Sequence, residues 1–96
     1  MYVIVWEFVA REGREAAFER AYGPSGRWAE FFRTGEGYLG TELWRGDGRW
    51  ITVDRWASED AYERFRAAHR AGYEALDREM EDLTARETRL GAFMVL

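Results

Sequence analysis

Hydrophobic and polar residues alternate along some segments of the chain and recur at every third or fourth position along others. Segment 2–9 is rich in β-branched and aromatic residues, segment 37–56 alternates large aromatics with acids and small residues around central glycines, and segment 89–96 is mostly apolar. Alternation of this kind, bounded by turn residues, is typical of strands and hairpins. We therefore predict a first strand, a central hairpin and a last strand that runs to the terminus.

Helical spacing precedes the hairpin. The apolar residues of segment 11–23 lie on one side of a helix. Gly23 and Pro24 must stop or bend that helix, because proline lacks an N–H donor and clashes with the preceding turn. Ser25 is then expected to cap a second, short helix that ends at Gly35.

A long helix is expected after the hairpin. Ser58 is its predicted N-cap, and Glu59 and Asp60 lie in its first turn, where the helix dipole favours acids. The predicted order is β-α-β-β-α-β, the split βαβ arrangement of ferredoxin-like domains. We expect one α+β domain over residues 1–96, with a four-stranded antiparallel sheet that carries its helices on one face.

The loop of the hairpin decides which residues share a face of the sheet. If residues 46–48 form a three-residue loop, Trp44 lies opposite Trp50. A two-residue Asp-Gly turn would instead place Glu42 opposite Val53. We expect the three-residue loop, because it sorts aliphatic residues with aliphatic ones, whereas a slip of one residue moves every side chain to the other face.

This register gives the sheet an aromatic face and an aliphatic face. The aromatic face is expected to contain Ile4, Trp6, Phe8, Tyr38, Gly40, Glu42, Trp44, Trp50, Thr52, Asp54 and Trp56. The aliphatic face is expected to contain Val3, Val5, Val9, Leu39, Thr41, Leu43, Ile51, Val53 and Arg55. A sheet that is apolar on both faces is covered on both sides. The helices cover the aromatic face, and we expect a second copy of the chain to cover the other.

The long helix adds polar-tipped rings to the aromatic face. Residues at core-facing spacing on it are Tyr62, Phe65, His69, Gly72, Tyr73, Leu76, Met80 and Leu83. Apolar walls with a few convergent polar groups are typical of small-molecule pockets, although the same rings would also serve as ordinary core. An acid on a covered sheet face, such as Glu42 or Asp54, must pair with an arginine or shift its pKa.

Composition narrows the functions that remain. The chain has 96 residues, 47% of them hydrophobic, and no cysteine, which excludes disulfides and thiolate chemistry. The net charge is −4 without a basic cluster, so we expect no nucleic-acid partner. All 14 basic residues are arginine, which removes Schiff-base chemistry. No apolar run is long enough for a membrane span and no basic leader is visible, so we expect a cytoplasmic protein.

Three short stretches resemble a known family. "GYLGTEL" (37–43), "DRWAS" (54–58) and "EDAYERF" (59–65) resemble the antibiotic-biosynthesis-monooxygenase-like dimeric α+β barrel proteins, and the likeness covers nearly the whole chain. Its most specific elements are Trp56 before Ala-Ser, and the glycines that open the second strand. The resemblance implies a homodimer whose sheets pack face to face, with a pocket between sheet and helices in each subunit.

The resemblance also implies an activity. Family monooxygenases that act on aromatic polyketides use no metal or flavin: the deprotonated substrate itself reacts with oxygen, while the protein positions the rings and stabilises the developing charge. Trp56 and Tyr62 match the tryptophan and tyrosine that line such sites, and Thr52 stands where the family has an asparagine. We therefore expect cofactor-independent oxidation of a small aromatic or quinone-like compound, with oxygen as the second substrate.

Candidate roles follow for individual residues. Asp54 is the preferred base, ahead of Glu42, because it is predicted to lie opposite Gly40, which leaves room for a ligand. His69 is the candidate proton shuttle, and Tyr62 the candidate donor to the developing charge. The residues expected to contact substrate are Trp6, Glu42, Thr52, Trp56, Phe65 and Tyr73.

Two other classes of function remain open. Some relatives bind and degrade haem, using an asparagine on the first strand, the same tryptophan and a helix histidine. Here Trp6 stands near the asparagine position and Arg66 near the histidine position, with His69 about one helical turn later. These two departures favour the oxygenase over the haem protein. The third class is a dimer that binds a ligand without catalysis or has a purely structural role.

Overall fold

A computed structural model describes residues 1–96 and contains one four-stranded sheet with its helices on one side. The elements are β1 Tyr2–Ala10, α1 Glu15–Tyr22, α2 Arg27–Phe32, β2 Tyr38–Arg45, β3 Trp50–Trp56, α3 Glu59–Ala68, α4 Arg70–Met80, a 3-10 turn Glu81–Leu83 and β4 Thr84–Met94. The strand order is β2-β3-β1-β4, and all neighbouring pairs are antiparallel. The predicted α+β, ferredoxin-like fold is confirmed. None of the helices is long and apolar enough to cross a bilayer.

The helix ends follow the local signals in most places. Gly23 ends α1, and the Ser58 side chain caps α3 by accepting a hydrogen bond of 3.1 Å from the Ala61 N–H. The prediction of Ser25 as a cap is wrong, because Gly26 precedes α2 and no side chain caps it. A Cβ at Gly26 would lie 2.3 Å from two backbone carbonyl oxygens, so this position accepts only glycine.

The predicted long helix is two helices. His69 leaves the helical region, with φ −120° and ψ 28°, and separates α3 from α4. Residues on either side of the break therefore do not form one continuous stripe: Tyr62, Phe65 and Leu76 are buried, but Gly72 is exposed. No glycine or proline marks the break, which explains why the spacing alone did not predict it.

The register of the hairpin differs from the predicted one. Arg45 lies opposite Trp50, and the Gly46 N–H donates to the Arg49 carbonyl at 2.7 Å, so residues 47–48 form the two-residue turn. Glu42 consequently lies opposite Val53. The predicted three-residue loop is wrong; a two-residue Asp-Gly turn closes the hairpin, with only Gly48 at positive φ, and it overrides the sorting of side chains by type.

An irregularity at Leu39 limits the effect of this shift to part of β2. Tyr38 remains opposite Trp56, but Gly40 lies opposite Arg55 and Thr41 opposite Asp54. Residues 40–45 are therefore turned over relative to the prediction, whereas β1 and β3 face as expected.

The two faces of the sheet can now be defined. The helix-side face contains Tyr2, Ile4, Trp6, Phe8, Tyr38, Thr41, Leu43, Trp50, Thr52, Asp54 and Trp56. The outer face contains Val3, Val5, Glu7, Gly40, Glu42, Trp44, Ile51, Val53, Arg55 and Phe93. The core lies between the helix-side face and the helices, and the side chains of Phe18 and Trp56 within it are completely buried. The sheet therefore leaves its outer face uncovered within one chain.

Candidate functional site

Two adjoining cavities lie between the helix-side face and the helices. The smaller one, here called the aromatic pocket, has a volume of about 60 Å³ and is lined by Trp6, Phe8, Tyr22, Trp28, Phe32, Thr52, Asp54, Tyr73, Asp77 and Glu87. The larger one, here called the arginine cleft, has a volume of about 530 Å³ and is lined by Trp6, Tyr62, Glu63, Arg66, Ala67, Arg70, Tyr73, Glu74 and Arg89. Trp6 and Tyr73 line both cavities and so form their common wall.

Strand alternation places the polar groups of the aromatic pocket. Thr52 and Asp54 are two residues apart on β3 and therefore face the helices together. Trp6 on β1 lies directly opposite Thr52. From the other side, α4 contributes Tyr73 and Asp77, each on the turn that faces the sheet.

Asp54 is an acid without a cation. It is partly buried, no arginine lies within ion-pair distance, and its one hydrogen bond comes from the Thr41 hydroxyl at 2.6 Å. Burial raises the pKa of Asp54 from 3.8 to about 6, and the Thr41 hydrogen bond opposes only part of that shift. Its position near neutrality is the property that general acid–base chemistry requires.

Neutral hydroxyls connect Asp54 to a second titratable group. The Tyr38 hydroxyl is hydrogen-bonded to the Thr41 hydroxyl, which in turn donates to Asp54. Thr41 has a single hydrogen to donate, so with Asp54 ionised it is Tyr38 that donates to Thr41. Burial raises the pKa of Tyr38, which keeps it protonated at neutral pH. The result is a chain of hydroxyls leading from Tyr38 to the carboxylate.

Glu42 lies elsewhere. The hairpin register places it on the outer face, where it forms an ion pair of 2.6 Å with Arg55 and accepts a hydrogen bond of 2.9 Å from Trp44 Nε1. The prediction that Glu42 and Trp44 lie on the pocket side is therefore wrong, as is the placement of Gly40 opposite Asp54. Of the two candidate acids, one is neutralised by an arginine and the other lines a cavity.

Trp56 and Phe65 belong to the core behind the cavities. Trp56 packs against Phe32, Tyr38, Tyr62 and Phe65 with ring centroids 5.1 to 5.9 Å apart, and it lines neither cavity. Its Nε1 is buried without a hydrogen-bond partner. In this structure the two residues support the rings that line the site and do not themselves line it, so their role in contacting substrate stays a prediction.

The predicted helix residues separate into two groups. The His69 ring stacks on Phe65 at 4.7 Å and lines neither cavity. Tyr62 and Tyr73 do line the arginine cleft, and the Tyr62 hydroxyl accepts a hydrogen bond of 2.8 Å from Arg66 Nη1. His69 lies at the break between α3 and α4. Its spacing from Tyr62 and Phe65 predicted a position in the pocket only if the helix were continuous.

Several lining residues were not singled out from the sequence. Tyr22, Trp28 and Phe32 come from α1 and α2, for which the sequence predicts helices but no contact with a pocket. Glu87 lies on β4 opposite Phe8, in a part of the strand that begins earlier than predicted. Burial is the main cause that raises the pKa of Glu87, and Thr84 donates to it at 3.3 Å. Only the position of β4 in the sheet could have revealed it.

Comparisons with known proteins agree with this architecture. Residues 1–75 match the family model described as antibiotic biosynthesis monooxygenase. A mutant of SnoaB, a cofactor-independent oxygenase from Streptomyces nogalater, is similar with a TM-score of 0.72 and 20% identity over 98% of this chain and 91% of that chain. PA3566 from Pseudomonas aeruginosa is similar with a TM-score of 0.67 and 17% identity over 99% and 93%.

A third similar structure contains a porphyrin. It is a mutant of MhuD with two manganese protoporphyrin IX molecules bound per active site, and it has a TM-score of 0.73 and 19% identity over 100% of this chain and 95% of that chain. No curated protein sequence matches the chain significantly. At these identities the structural likeness shows a shared fold, and the family match rests on the sequence.

Proposed function

The chain belongs to the antibiotic biosynthesis monooxygenase family, and we propose that it oxidises a small aromatic or quinone-like compound with molecular oxygen and without a bound cofactor. The observation that carries this proposal is Asp54, an acid without a cation partner that lines an aromatic pocket. A base in such surroundings can generate the electron-rich substrate anion that this chemistry needs. SnoaB, a structure of the same fold, is a cofactor-independent oxygenase.

The proposed reaction uses Asp54 for proton transfer alone. For a substrate with an acidic methylene between aromatic rings, Asp54 accepts the C–H proton and leaves a carbanion. The carbanion forms a C–O bond with oxygen to give a peroxide anion, which takes the proton back from Asp54 and becomes a hydroperoxide. Loss of water then converts the C–H and C–OOH bonds at that carbon into a carbonyl. One oxygen atom enters the product, the other leaves as water, and Asp54 is regenerated.

The environment of Asp54 suits both halves of this cycle. A carboxyl with a pKa of about 6 is mostly ionised at neutral pH yet is a stronger base than an ordinary aspartate. Protonated Asp54 can in turn donate to Thr41, whose hydroxyl is linked to Tyr38. The hydroxyls of Thr41 and Tyr38 can thus hydrogen-bond to Asp54 in its ionised and in its protonated form. From the sequence, His69 was the predicted partner for proton transfer.

Binding would use both cavities. The aromatic pocket has space for one edge of an aromatic ring, which brings the reacting carbon to Asp54, and the rest of the molecule extends past Trp6 and Tyr73 into the arginine cleft. The Tyr62 hydroxyl, held by Arg66, is a donor available there. Fixing a reactant between rigid rings contributes to catalysis by orientation.

Oxygen uptake with an anthrone-type or hydroxynaphthalene-type substrate tests the proposal. Asp54→Asn should reduce turnover at least about a hundredfold, the scale of a lost general base, and circular dichroism should show that the variant is folded. Glu42→Gln is the matched control, because it removes an acid of the neighbouring strand that faces away from the pocket. Equal rates for wild type and Asp54→Asn would refute the role of Asp54.

The haem alternative rests on the porphyrin bound by MhuD. Here the residues fit that group poorly: neither cavity is lined by histidine, cysteine or methionine, and the tyrosines of the larger one, Tyr62 and Tyr73, are both engaged by Arg66. His69, the one histidine, is stacked against Phe65. Titration with haemin separates the two functions, since a saturable, intense Soret band would favour the haem protein.

We also propose that a second copy of the chain covers the outer face. Val3, Val5 and Ile51 are only half-buried there, and Trp44 and Phe93 are 50% and 53% exposed. An apolar sheet face of this extent is typical of an interface. Leu43, predicted to belong to this surface, lies on the helix-side face and packs against the core instead.

A further inference from the structure

The arginine cleft contains positive charge that the protein itself does not neutralise. Arg66 on α3, Arg70 on α4 and Arg89 on β4 line it together. None of the three forms an ion pair within 4.0 Å. The arginines that do form one are Arg27, Arg45, Arg49 and Arg55, all outside the cleft. Three elements thus bring unpaired guanidinium groups to one cavity, and one of these groups is held in a defined position.

Arg66 is the ordered member of this set. Its Nη1 donates to the Tyr62 hydroxyl at 2.8 Å, and its guanidinium carbon lies 3.9 Å from the centre of the Tyr73 ring. Glu63 precedes it by three residues, a spacing at which helical ion pairs form, yet Arg66 contacts the tyrosines. A stacked guanidinium keeps its charge and its remaining N–H donors, which match the planar geometry of a carboxylate.

The acids of the cleft do not cancel this feature. Glu63 and Glu74 also line it and are exposed, as are Arg70 and Arg89, so solvent screens these four charges; Arg66 is the one charge of the cleft that is partly buried, between the tyrosines. Opposite charge prevails beyond the common wall, where Asp54, Asp77 and Glu87 line the aromatic pocket. A ligand that spans both cavities therefore meets acids at one end and arginines at the other.

We propose that the arginine cleft binds a carboxylate carried by the substrate ring, so that the substrate class is an aromatic carboxylic acid whose acidic O–H or C–H group points to Asp54. The reverse orientation would place the carboxylate beside the partly buried Asp54, in a pocket that no arginine lines, and is disfavoured by repulsion. The turnover of such a compound depends on the proposed oxygenase function, but its binding does not. The two can therefore be tested separately.

The binding experiment compares two ligands that differ in one group. A hydroxynaphthoate with hydroxyl and carboxylate at opposite ends of the ring system is titrated into the protein by calorimetry at low salt, and the naphthol that lacks only the carboxylate serves as its match. We expect the acid to bind at least about tenfold more tightly, the scale of a charge-assisted hydrogen-bonded pair. Its affinity should fall as salt is added, and that of the naphthol should not.

Variants identify the residue responsible. Arg66→Gln should reduce the affinity for the acid about tenfold and leave that for the naphthol within about twofold, and Arg66→Lys should restore part of the loss. Arg64→Gln is the matched control: it removes the same charge from the same helix at a position that does not line the cleft. An equal loss in Arg64→Gln would point to long-range charge and contradict a specific site.

The outcomes separate this inference from the proposed function. Preference for the acid that depends on Arg66 supports the carboxylate site, and a lack of oxygen uptake with an anthrone-type substrate separately refutes the oxygenase. Oxygen uptake with both ligands, bound at equal affinity, supports the oxygenase and refutes the carboxylate site. If the acid and the naphthol bind equally, or if the preference survives in the triple variant Arg66→Gln, Arg70→Gln, Arg89→Gln, the inference is overturned. Circular dichroism of each variant establishes that a lost affinity is not a lost fold.

Discussion

The two faces of the sheet each contain an acid among apolar side chains, and only one of these acids is set up for chemistry. Glu42 on the outer face is paired with Arg55 at 2.6 Å and exposed to solvent. Asp54 on the helix-side face has only the Thr41 hydroxyl, and burial raises its pKa to about 6. The two residues lie on adjacent strands, and both follow the same alternation. The two acids differ in whether an arginine is close enough to form an ion pair, and the register of the hairpin determines this difference.

The first prediction compares a carboxylate introduced on each face of the sheet, and we expect it to have the largest effect of the four. Ile51→Glu and Leu43→Glu place the same carboxylate on the outer and the helix-side face respectively. Ile51→Glu should give a folded monomer, because it disrupts the proposed contact between copies. Leu43→Glu should lower the free energy of unfolding instead, because Leu43 is half-buried against the core and a carboxylate there is partly desolvated without a partner.

Light scattering and circular dichroism on the two variants decide the first prediction. A wild type that is monomeric at micromolar concentration would contradict the proposed dimer. A folded Leu43→Glu variant that is monomeric would restore the register predicted from the sequence.

The second prediction uses pH to test the assignment of the base. Activity should fall about tenfold per pH unit below about 6, because the rate requires ionised Asp54. Thr41 on β2 contacts Asp54 directly, and its hydroxyl is hydrogen-bonded to Tyr38; Tyr73 and Asp77 on α4 and Glu87 on β4 line the same pocket. Burial and the Thr41 hydrogen bond set its pKa, so Glu87→Gln should leave the midpoint of the profile in place.

A profile of kcat/KM against pH, measured for wild type, Thr41→Val and Glu87→Gln, checks the second prediction. Thr41→Val removes the one hydrogen bond that favours the ionised form and should move the midpoint upward. A midpoint that follows Glu87→Gln and ignores Thr41→Val would assign the base to another acid of the pocket.

These tests depend on parts of the structure that the sequence predicts unequally. Within one strand, alternation alone fixes which residues share a face, so Trp6, Thr52 and Asp54 are placed correctly. Between strands, the register also depends on the turn and on the irregularity at Leu39. For that reason the predicted face of Glu42 is wrong. The Asp-Gly signal for a two-residue turn was visible in the sequence; the preference for sorting aliphatic residues outweighed it.

The cavities are even harder to predict from local sequence signals than the hairpin register. The arginine cleft brings together residues from α3, α4 and β4, and its geometry follows from the helix break at His69. Neither glycine nor proline marks that break, and no pattern within α3 indicates that Arg66 stacks on a tyrosine of the next helix. Such features follow from tertiary packing, which single-chain periodicity does not report.

The third prediction is a gain of stability. Because the folded-state pKa of Asp54 lies above its ordinary 3.8, its ionised form costs free energy in the folded protein, and the cost is present above about pH 6 and absent below about pH 4. Asp54→Asn should therefore raise the free energy of unfolding by about 1 to 3 kcal/mol near pH 8. The gain should vanish as pH falls through this window.

Urea denaturation of wild type and Asp54→Asn at a series of pH values measures this difference. Loss of turnover together with a gain in stability is typical of a residue kept for function. A stability difference that is independent of pH would show that folding leaves the pKa of Asp54 at its ordinary value, and would contradict the raised pKa.

The last prediction is the smallest and has the opposite sign. Glu42→Gln removes an ion pair whose side chains are 47% and 32% exposed, so it should lower the free energy of unfolding by less than about 1 kcal/mol. Because exposed ion pairs are screened, the loss should shrink further at high salt. If a second copy covers the outer face, the same pair is buried in the dimer, and breaking it there leaves Arg55 uncompensated at a higher cost. The cost should therefore be larger in the wild-type background than in the monomeric Ile51→Glu background, as measured by urea denaturation of the four chains. Equal costs in both backgrounds would place the pair outside the interface and restrict the proposed dimer contact to the other half of the sheet, around Val5 and Phe93.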